Sequence, residues 1–341
     1  MSHGLAASVV VPTFNRPAAL EACGAALLAQ QPGTPPYEVV IVDDGSSDPA
    51  VARVAERLVS DPGSAVRVRY VRHPRNQGRS ATRNTGIGLA EGEVVLLLDD
   101  DVVVAPAYVA AHLAAHRDAW PAHVAVVGNL SFPPAVVERS NFARYLQSRY
   151  LGSRRPEERG GIDPNDLHPR YLLSAVASVR REDLTTHAPF DDAMRSYGCE
   201  DHVAARRLAD RGVRIVFAPA ASAIHHDSVA LEWHRNKMLE TARDGVPVLL
   251  SHYPDFLEGS AFEALLPVDR RGDGPGVVIR KVLVRAALNP ATVWLLERWA
   301  RGTDAAPGLY VHAVYRALNA GWFLQGRRLR PGGQPLVVYG R

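Results

Sequence analysis

The chain has 341 residues, 47% of them apolar, with 39 Lys or Arg against 36 Asp or Glu and a formal net charge of +3. Such a composition supports a large buried core and excludes global disorder, and so small a charge gives no ground for a general nucleic-acid binder. The two cysteines, Cys23 and Cys199, lie far apart in no metal or redox spacing, which fits a reducing compartment without a disulfide framework.

The first hundred residues alternate strand and helix. Ser8 to Val11 reads as a short β-branched strand, followed by Pro12-Thr13-Phe14-Asn15 and a helix with Pro17 in its first turn. Val39 to Val42 reads as a second strand ending in Asp43-Asp44-Gly45-Ser46-Ser47-Asp48, with a helix over Pro49 to Val59. Val66 to Val71 alternates basic and apolar residues, as an edge strand does. Ser80 to Ala90 is helical, and Val94 to Leu98 is a fourth strand ending in Asp99-Asp100-Asp101. Strands this apolar are buried on both faces, as parallel strands are, and the alternation predicts a doubly wound, mainly parallel α/β sheet. Ligands in such sheets sit beyond the carboxyl ends of the strands. The three polar clusters are therefore expected in one crevice.

The second half is less regular. Strands are expected over His123 to Phe132, Leu172 to Val179 and Val213 to Phe217, with helices over Asn141 to Tyr150 and Glu200 to Arg211. Gly152 to Pro169 reads as a loop rich in Arg, Pro, Gly and Asp. From Ser228 onward the pattern is mainly helical.

Each cluster has a plain and a functional reading. Three adjacent carboxylates raise one another's proton affinity unless a cation is present, and Mg2+ or Mn2+ prefers such oxygens. They also suit a solvated turn. Asp43 to Asp48 carries good helix N-caps and a turn glycine. Glu200-Asp201 opens a helix, where the dipole favours carboxylates, yet a general base is also a carboxylate. His225-His226, just past a strand, is a candidate metal contact.

Taken in order, these segments resemble glycosyltransferase family 2, the inverting enzymes of the GT-A fold. Val9 to Arg16 is similar to its opening strand and loop. Val42 to Asp48 is similar to its nucleotide loop, and Asn76-Gln77-Gly78 with Ala81 to Gly86 to the segment beneath the nucleotide. Leu98 to Asp101 matches its Asp-x-Asp motif, and Phe190-Asp191-Asp192 with Tyr197 to Asp201 the stretch ending in Glu-Asp. The resemblance covers about residues 8–230. It implies that Pro12, Thr13, Phe14, Asp43, Asp44, Arg83 and Asn84 hold the base and ribose of a nucleotide sugar, UDP-type as a first expectation. It implies that Asp99 and Asp100 reach the ribose or metal, and that Asp101, Asp99 and His225 ligate a divalent cation, Mg2+ or Mn2+. Asp201 becomes the general base, supported by Glu200, for transfer to a saccharide, lipid-linked or small-molecule hydroxyl. Cys199, Val203 and Val176 depart from the family pattern near the acceptor side.

The expected organisation is a catalytic domain over 1–230, with a nucleotide half to about 105 and an acceptor half over 106–230, then a helical basic extension over 231–341. Residues 271–341 hold eleven Lys or Arg against Asp273, Glu297 and Asp304, with Trp294, Trp299 and Trp322 interleaved. Such a segment suits peripheral membrane contact, an oligomer interface or a solvated basic face. No basic run precedes Val9-Val10-Val11 and no stretch of about 18 apolar residues is free of charge, so a cytoplasmic protein, peripheral at the inner membrane face if lipid-bound, is expected. Two other functions share parts of this pattern. A nucleotidyltransferase would favour a glycine-rich phosphate loop where Pro12 to Arg16 stands, and a non-catalytic sugar-nucleotide binder would not need Asp101 and Glu200-Asp201.

Overall fold

The computed structural model describes residues 4–153, 162–185, 189–260, 262–269 and 272–337. Its first half follows the expected winding: β1 (Ala7–Thr13), α1 (Pro17–Leu28), β2 (Tyr37–Asp43), α2 (Pro49–Val59), β3 (Arg67–Arg72), α3 (Arg79–Leu89) and β4 (Val94–Leu98). Then come β5 (Val102–Val104), α4 (Tyr108–Asp118), β6 (Val124–Ser131), α5 (Pro134–Arg139), α6 (Asn141–Gln147), β7 (Val176–Arg180), α7 (Arg181–Thr185), α8 (Glu200–Ala209) and β8 (Arg214–His225). The last part is helical: α9 (Leu231–Glu240), α10 (Val246–His252), α11 (Pro275–Ala287), α12 (Pro290–Thr303) and α13 (His312–Gly326).

One sheet of eight described strands runs in the order β3-β2-β1-β4-β7-β6-β8-β5. The side from β3 to β4 is parallel, with β3 at the edge as its charge alternation predicted. Beyond β4 the sheet is mixed, since β7 runs antiparallel to both β4 and β6. Every residue of β2 and β4 is buried, the expected consequence of helices on both faces.

Three departures have local causes. β5 and α4 follow the aspartate triplet where no element was expected. The strand near Leu172 begins only at Val176, because Pro169–Tyr171 forms a 3-10 turn. β8 runs on through Pro219, where the reading stopped at Phe217. There a register jump pairs Gly128 with Ala218 and Asn129 with Ser222, and the bulge accommodates a residue with no N–H to donate. Of the loop expected over Gly152 to Pro169, residues 154–161 lie outside the described residues.

The apolar interior has two parts. The first lies around the sheet. The second joins Phe142 and Tyr145 of α6 and Val203 of α8 to Met238, Val293, Tyr315, Leu318 and Trp322 of the helical part. Residues beyond 230 therefore share a core with the acceptor half. No described helix is long and apolar enough to cross a membrane.

Candidate functional site

Strand registers assemble the site. β1 and β2 pair Thr13 with Asp43, so both chains turn at one level. The Asp44 N–H then donates to the Thr13 carbonyl at 2.9 Å. Gly45 takes φ +74, and a Cβ there would meet the Arg75 carbonyl carbon at 2.6 Å. Between the triplet and β8 the key pairing is antiparallel: Val102 lies opposite His225, and the His226 N–H donates to the Asp101 carbonyl at 2.8 Å. A segment more than 120 residues downstream is thus drawn to the triplet by backbone pairing.

A cleft of about 470 Å³ opens at these strand ends. On one side stand Pro12, Thr13, Phe14, Asp44, Gly78 and Arg83. Asp99, Asp100 and Asp101 form the floor, and His225, Asp227 and Lys237 the far end.

Asp44 is buried. Its Oδ1 accepts from His73 Nδ1 at 2.9 Å and the Gln77 N–H at 2.8 Å, its Oδ2 from the Gly78 N–H at 2.9 Å. It fixes the loop before α3 and keeps acceptor capacity on Oδ2 for a donor in the cleft. Asp43 is not among the residues that line the cleft, and neither are Glu200 and Asp201. The Asp43 carboxylate accepts from the Ser46 N–H and the Tyr70 hydroxyl, away from the cleft lining. Asn84 also turns away, donating to the Phe190 carbonyl and to Asp192.

The triplet divides its work. Asp99 accepts from Arg83 Nη2 at 2.7 Å and stands outside the group of Asp101, His225 and Asp227 that could hold a cation. Asp100 accepts from the Thr13 hydroxyl at 2.7 Å and from Arg16 Nη1 at 3.1 Å, and burial pushes its carboxyl up to about 7. Asp101 accepts from Arg16 Nη2 at 2.8 Å, and His225 Nε2 lies 3.4 Å from the same oxygen. His225 and Arg16 hold the Asp101 carboxyl far below its ordinary range despite burial. The other oxygen, Asp101 Oδ1, is buried and has no hydrogen-bond partner among the described residues. Ligand atoms of Asp101, His225 and Asp227 lie within 4.8 Å of one another. Two carboxylates and an imidazole, one oxygen unsatisfied, fit a divalent cation. His225 is oriented from behind by the Tyr150 hydroxyl, 3.0 Å from Nδ1, and by stacking on Phe132.

Asp201 and Glu200 open α8 through a strained turn: Gly198 has φ +102 and Cys199 φ +71. Glu200 accepts from Arg79 at 3.3 Å and from the Gly198 N–H at 3.0 Å. Asp201 accepts from the Ser174 N–H at 3.1 Å and the Ser174 hydroxyl at 2.5 Å. Burial and neighbouring Glu200 raise its carboxyl to about 6, against the pull of Arg83 and Ser174. Arg83, itself buried, faces Asp99, Asp201 and Glu200 together and links this pair to the cleft floor.

Arg16, Ser174, Asp227, Lys237 and Glu240 carry no role in the sequence reading. Asp227 follows the histidine pair and Arg16 ends the first loop, so both were within reach. Lys237 and Glu240 sit on α9 in no motif.

This sheet, with its carboxylate floor and helices on both sides, is a GT-A fold. The mannosyltransferase of Pyrobaculum calidifontis, solved in complex with GDP-Man and Mn2+, superposes with a TM-score of 0.57 at 17% identity, over 96% of this chain and 86% of that one. Residues 1-349 of S. aureus TarS superpose at 0.51 and 18% identity, over 93% and 92%. Residues 8–175 match the model of glycosyl transferase family 2, and the chain belongs to that family. It is 37% identical over 234 residues to validoxylamine A glucosyltransferase of Streptomyces hygroscopicus subsp. jinggangensis, covering 62% of this chain and 53% of that protein. It is 36% identical over 111 residues to hyaluronan synthase of Pasteurella multocida, covering 31% and 10%. The chain thus spans about half the length of the validoxylamine A glucosyltransferases it matches.

Proposed function

We propose that the chain is an inverting glycosyltransferase that moves a sugar from a nucleoside diphosphate sugar to an acceptor hydroxyl. The observation that carries this reading is the unsatisfied Asp101 Oδ1 beside His225 and Asp227, at the end of a cleft whose other wall offers a base pocket. Asp201, at about 6, is matched to general-base work near neutral pH. It takes the proton of the acceptor hydroxyl as that oxygen attacks the anomeric carbon. The bond from that carbon to the diphosphate oxygen breaks, and its electron pair leaves with the nucleoside diphosphate. Attack opposite the leaving group inverts the configuration. Asp101, His225 and Asp227 would hold a divalent cation, whose positive charge would offset that of the diphosphate. Arg16 and Lys237 line the same stretch and add fixed positive charge.

Likeness to a validoxylamine A glucosyltransferase makes nucleotide-activated glucose, UDP-type first, with validoxylamine A as acceptor, the first substrates to test. The assay is nucleoside diphosphate release with Mg2+ or Mn2+. Turnover is expected to cease with EDTA and return with added metal, and Asp101→Asn is expected to abolish that rescue. EDTA-resistant transfer would remove the cation from this reading.

We further infer peripheral contact with anionic lipid. On α11, Ile279, Val282 and Leu283 share one face at i, i+3 and i+4 and are 53–63% exposed. On α12, Trp294 and Leu295 are also exposed, beside Arg298 and Arg301. The chain is expected to float with vesicles containing phosphatidylserine and not with neutral ones. Equal partition to both would refute this.

A further inference from the structure

We infer that residues 332–337 form a substrate-contacting wall of the cleft, that Glu240 fastens it, and that it shields the transferred sugar from water. This rests on the glycosyltransferase reading above.

Neither sequence motif nor family match reaches this segment, which lies far beyond residue 175. Pro335 and Val337 nevertheless line the same cleft as Asp44 and Asp101. Three neighbouring side chains of the helical part bind its backbone. Glu240 Oε2 accepts from the Leu336 N–H at 2.7 Å and the Val337 N–H at 2.9 Å. Asp244 Oδ1 accepts from the Gly332 N–H at 3.0 Å, and Arg243 Nη1 donates to the Gln334 carbonyl at 3.1 Å. These grips act on main-chain groups, so they fix the path of the segment whatever its side chains are.

Glu240 does more than hold the strap. Its other oxygen accepts from the Tyr197 N–H at 2.7 Å, within the turn that leads into Glu200-Asp201. One buried carboxylate therefore joins two walls of the cleft. The π-turn Thr241–Gly245 that follows it packs so closely on that turn that a Cβ on Gly245 would meet the Gly198 carbonyl oxygen at 2.3 Å. On the proposed function, the strap would stand on the side of the sugar rather than the base. Lys237, which pairs with Asp227 of the cation cluster, precedes Glu240 by one helical turn on the same face of α9. Tyr197 packs here too, with Lys237 Nζ 5.1 Å and Arg79 Cζ 4.7 Å from its ring centroid.

Such a wall excludes water from the anomeric carbon. Without it water attacks that carbon, the bond to the diphosphate breaks, and free sugar and nucleoside diphosphate result. Glu240 is a positioning residue here, and Pro335 and Val337 are the contacts.

The test compares wild type, a chain ended at Pro331, Glu240→Gln, and the two combined. Each is assayed with a nucleotide sugar that the wild type uses. Gln offers one acceptor oxygen and cannot serve both the strap and Tyr197. The shortened chain is expected to raise donor hydrolysis relative to transfer by about tenfold and to raise the acceptor KM, with nucleoside diphosphate affinity held within about twofold. Glu240→Gln is expected to give a similar change, and the combination little more than either alone. Independent, additive effects would mean that Glu240 is merely structural. If the shortened chain does not fold, Val337→Ala and Val337→Trp, which keep the backbone N–H, take its place. Val337→Ala is then expected to raise hydrolysis and Val337→Trp to raise the acceptor KM. Wild-type ratios and KM values in an active enzyme would overturn the strap. A wild type that releases nucleoside diphosphate from no sugar in the panel would overturn the glycosyltransferase reading instead.

Discussion

Burial lifts the Asp201 carboxyl to about 6, although Arg83 and the Ser174 hydroxyl both favour its anion. In its proposed role as base, a carboxyl with that value is unprotonated above pH 6 and idle below it. The acid limb of kcat/KM is therefore expected near 6. Ser174→Ala removes a hydrogen bond to the anion and should move that limb to higher pH; an unmoved limb would detach Ser174 from Asp201. Asp201→Asn should lower kcat by about 10²–10⁴-fold while leaving nucleotide binding, measured by calorimetry, close to wild type. A second residue-scale case lies behind the sheet, where His112 and His116 both bond the Ser178 hydroxyl. Burial lowers them to about 3 and about 4, below the ordinary histidine value of 6.5. Folded-state values below the unfolded ones mean that their stabilising contribution is full above 6.5 and is lost as pH falls. His112→Asn should thus flatten the fall of unfolding free energy between pH 6.5 and about 3 by up to one proton's slope, about 1.4 kcal/mol per pH unit. Urea titrations across that range check it.

At the scale of elements, the turn into α8 decides whether the proposed base, Asp201, is in place. Gly198 holds φ +102, and a Cβ there would meet Thr241 Oγ1 at 2.2 Å. Gly198→Ala combines a left-handed backbone with overpacking and is expected to cost about 2 kcal/mol or more by chemical denaturation. It should also impair transfer, because the same turn carries Glu200 and Asp201. The polar loops at the strand ends, in contrast, were legible beforehand. Short apolar strands ending in Pro12–Asn15, Asp43–Asp48 and Asp99–Asp101 fix both the parallel pairing and the end of the sheet where ligands sit. What could not be read was which carboxylate faces the cleft. Asp43 and Asp44 are adjacent, yet one bonds Tyr70 and the other the loop before α3, because β2 ends at Asp43 and Asp44 already belongs to the turn beyond it.

Across the whole molecule, the second apolar core crosses the boundary expected near residue 230. Trp322 is fully buried and donates to Glu297, among side chains from α6, α8 and α9. A chain ended at residue 230 is therefore expected to lack a cooperative thermal transition, and Trp322→Ala in the full chain to lose about 3–5 kcal/mol. A stable, sharply melting 1–230 fragment would count against a shared core.

The local pattern of the sequence was enough for the winding of β1 to β4, the shared crevice and the family. Strand period, strand length and turn chemistry act between neighbours, so they are written in consecutive residues. Tertiary structure alone decided the rest. β5 pairing with β8 brings His225 to Asp101, leaves Asp99 to Arg83, and adds Asp227 to the cluster. The strap and its Glu240 clasp depend on main-chain N–H groups that donate to a side-chain carboxylate nearly a hundred residues away. Any segment can make such bonds, so no residue pattern announces them.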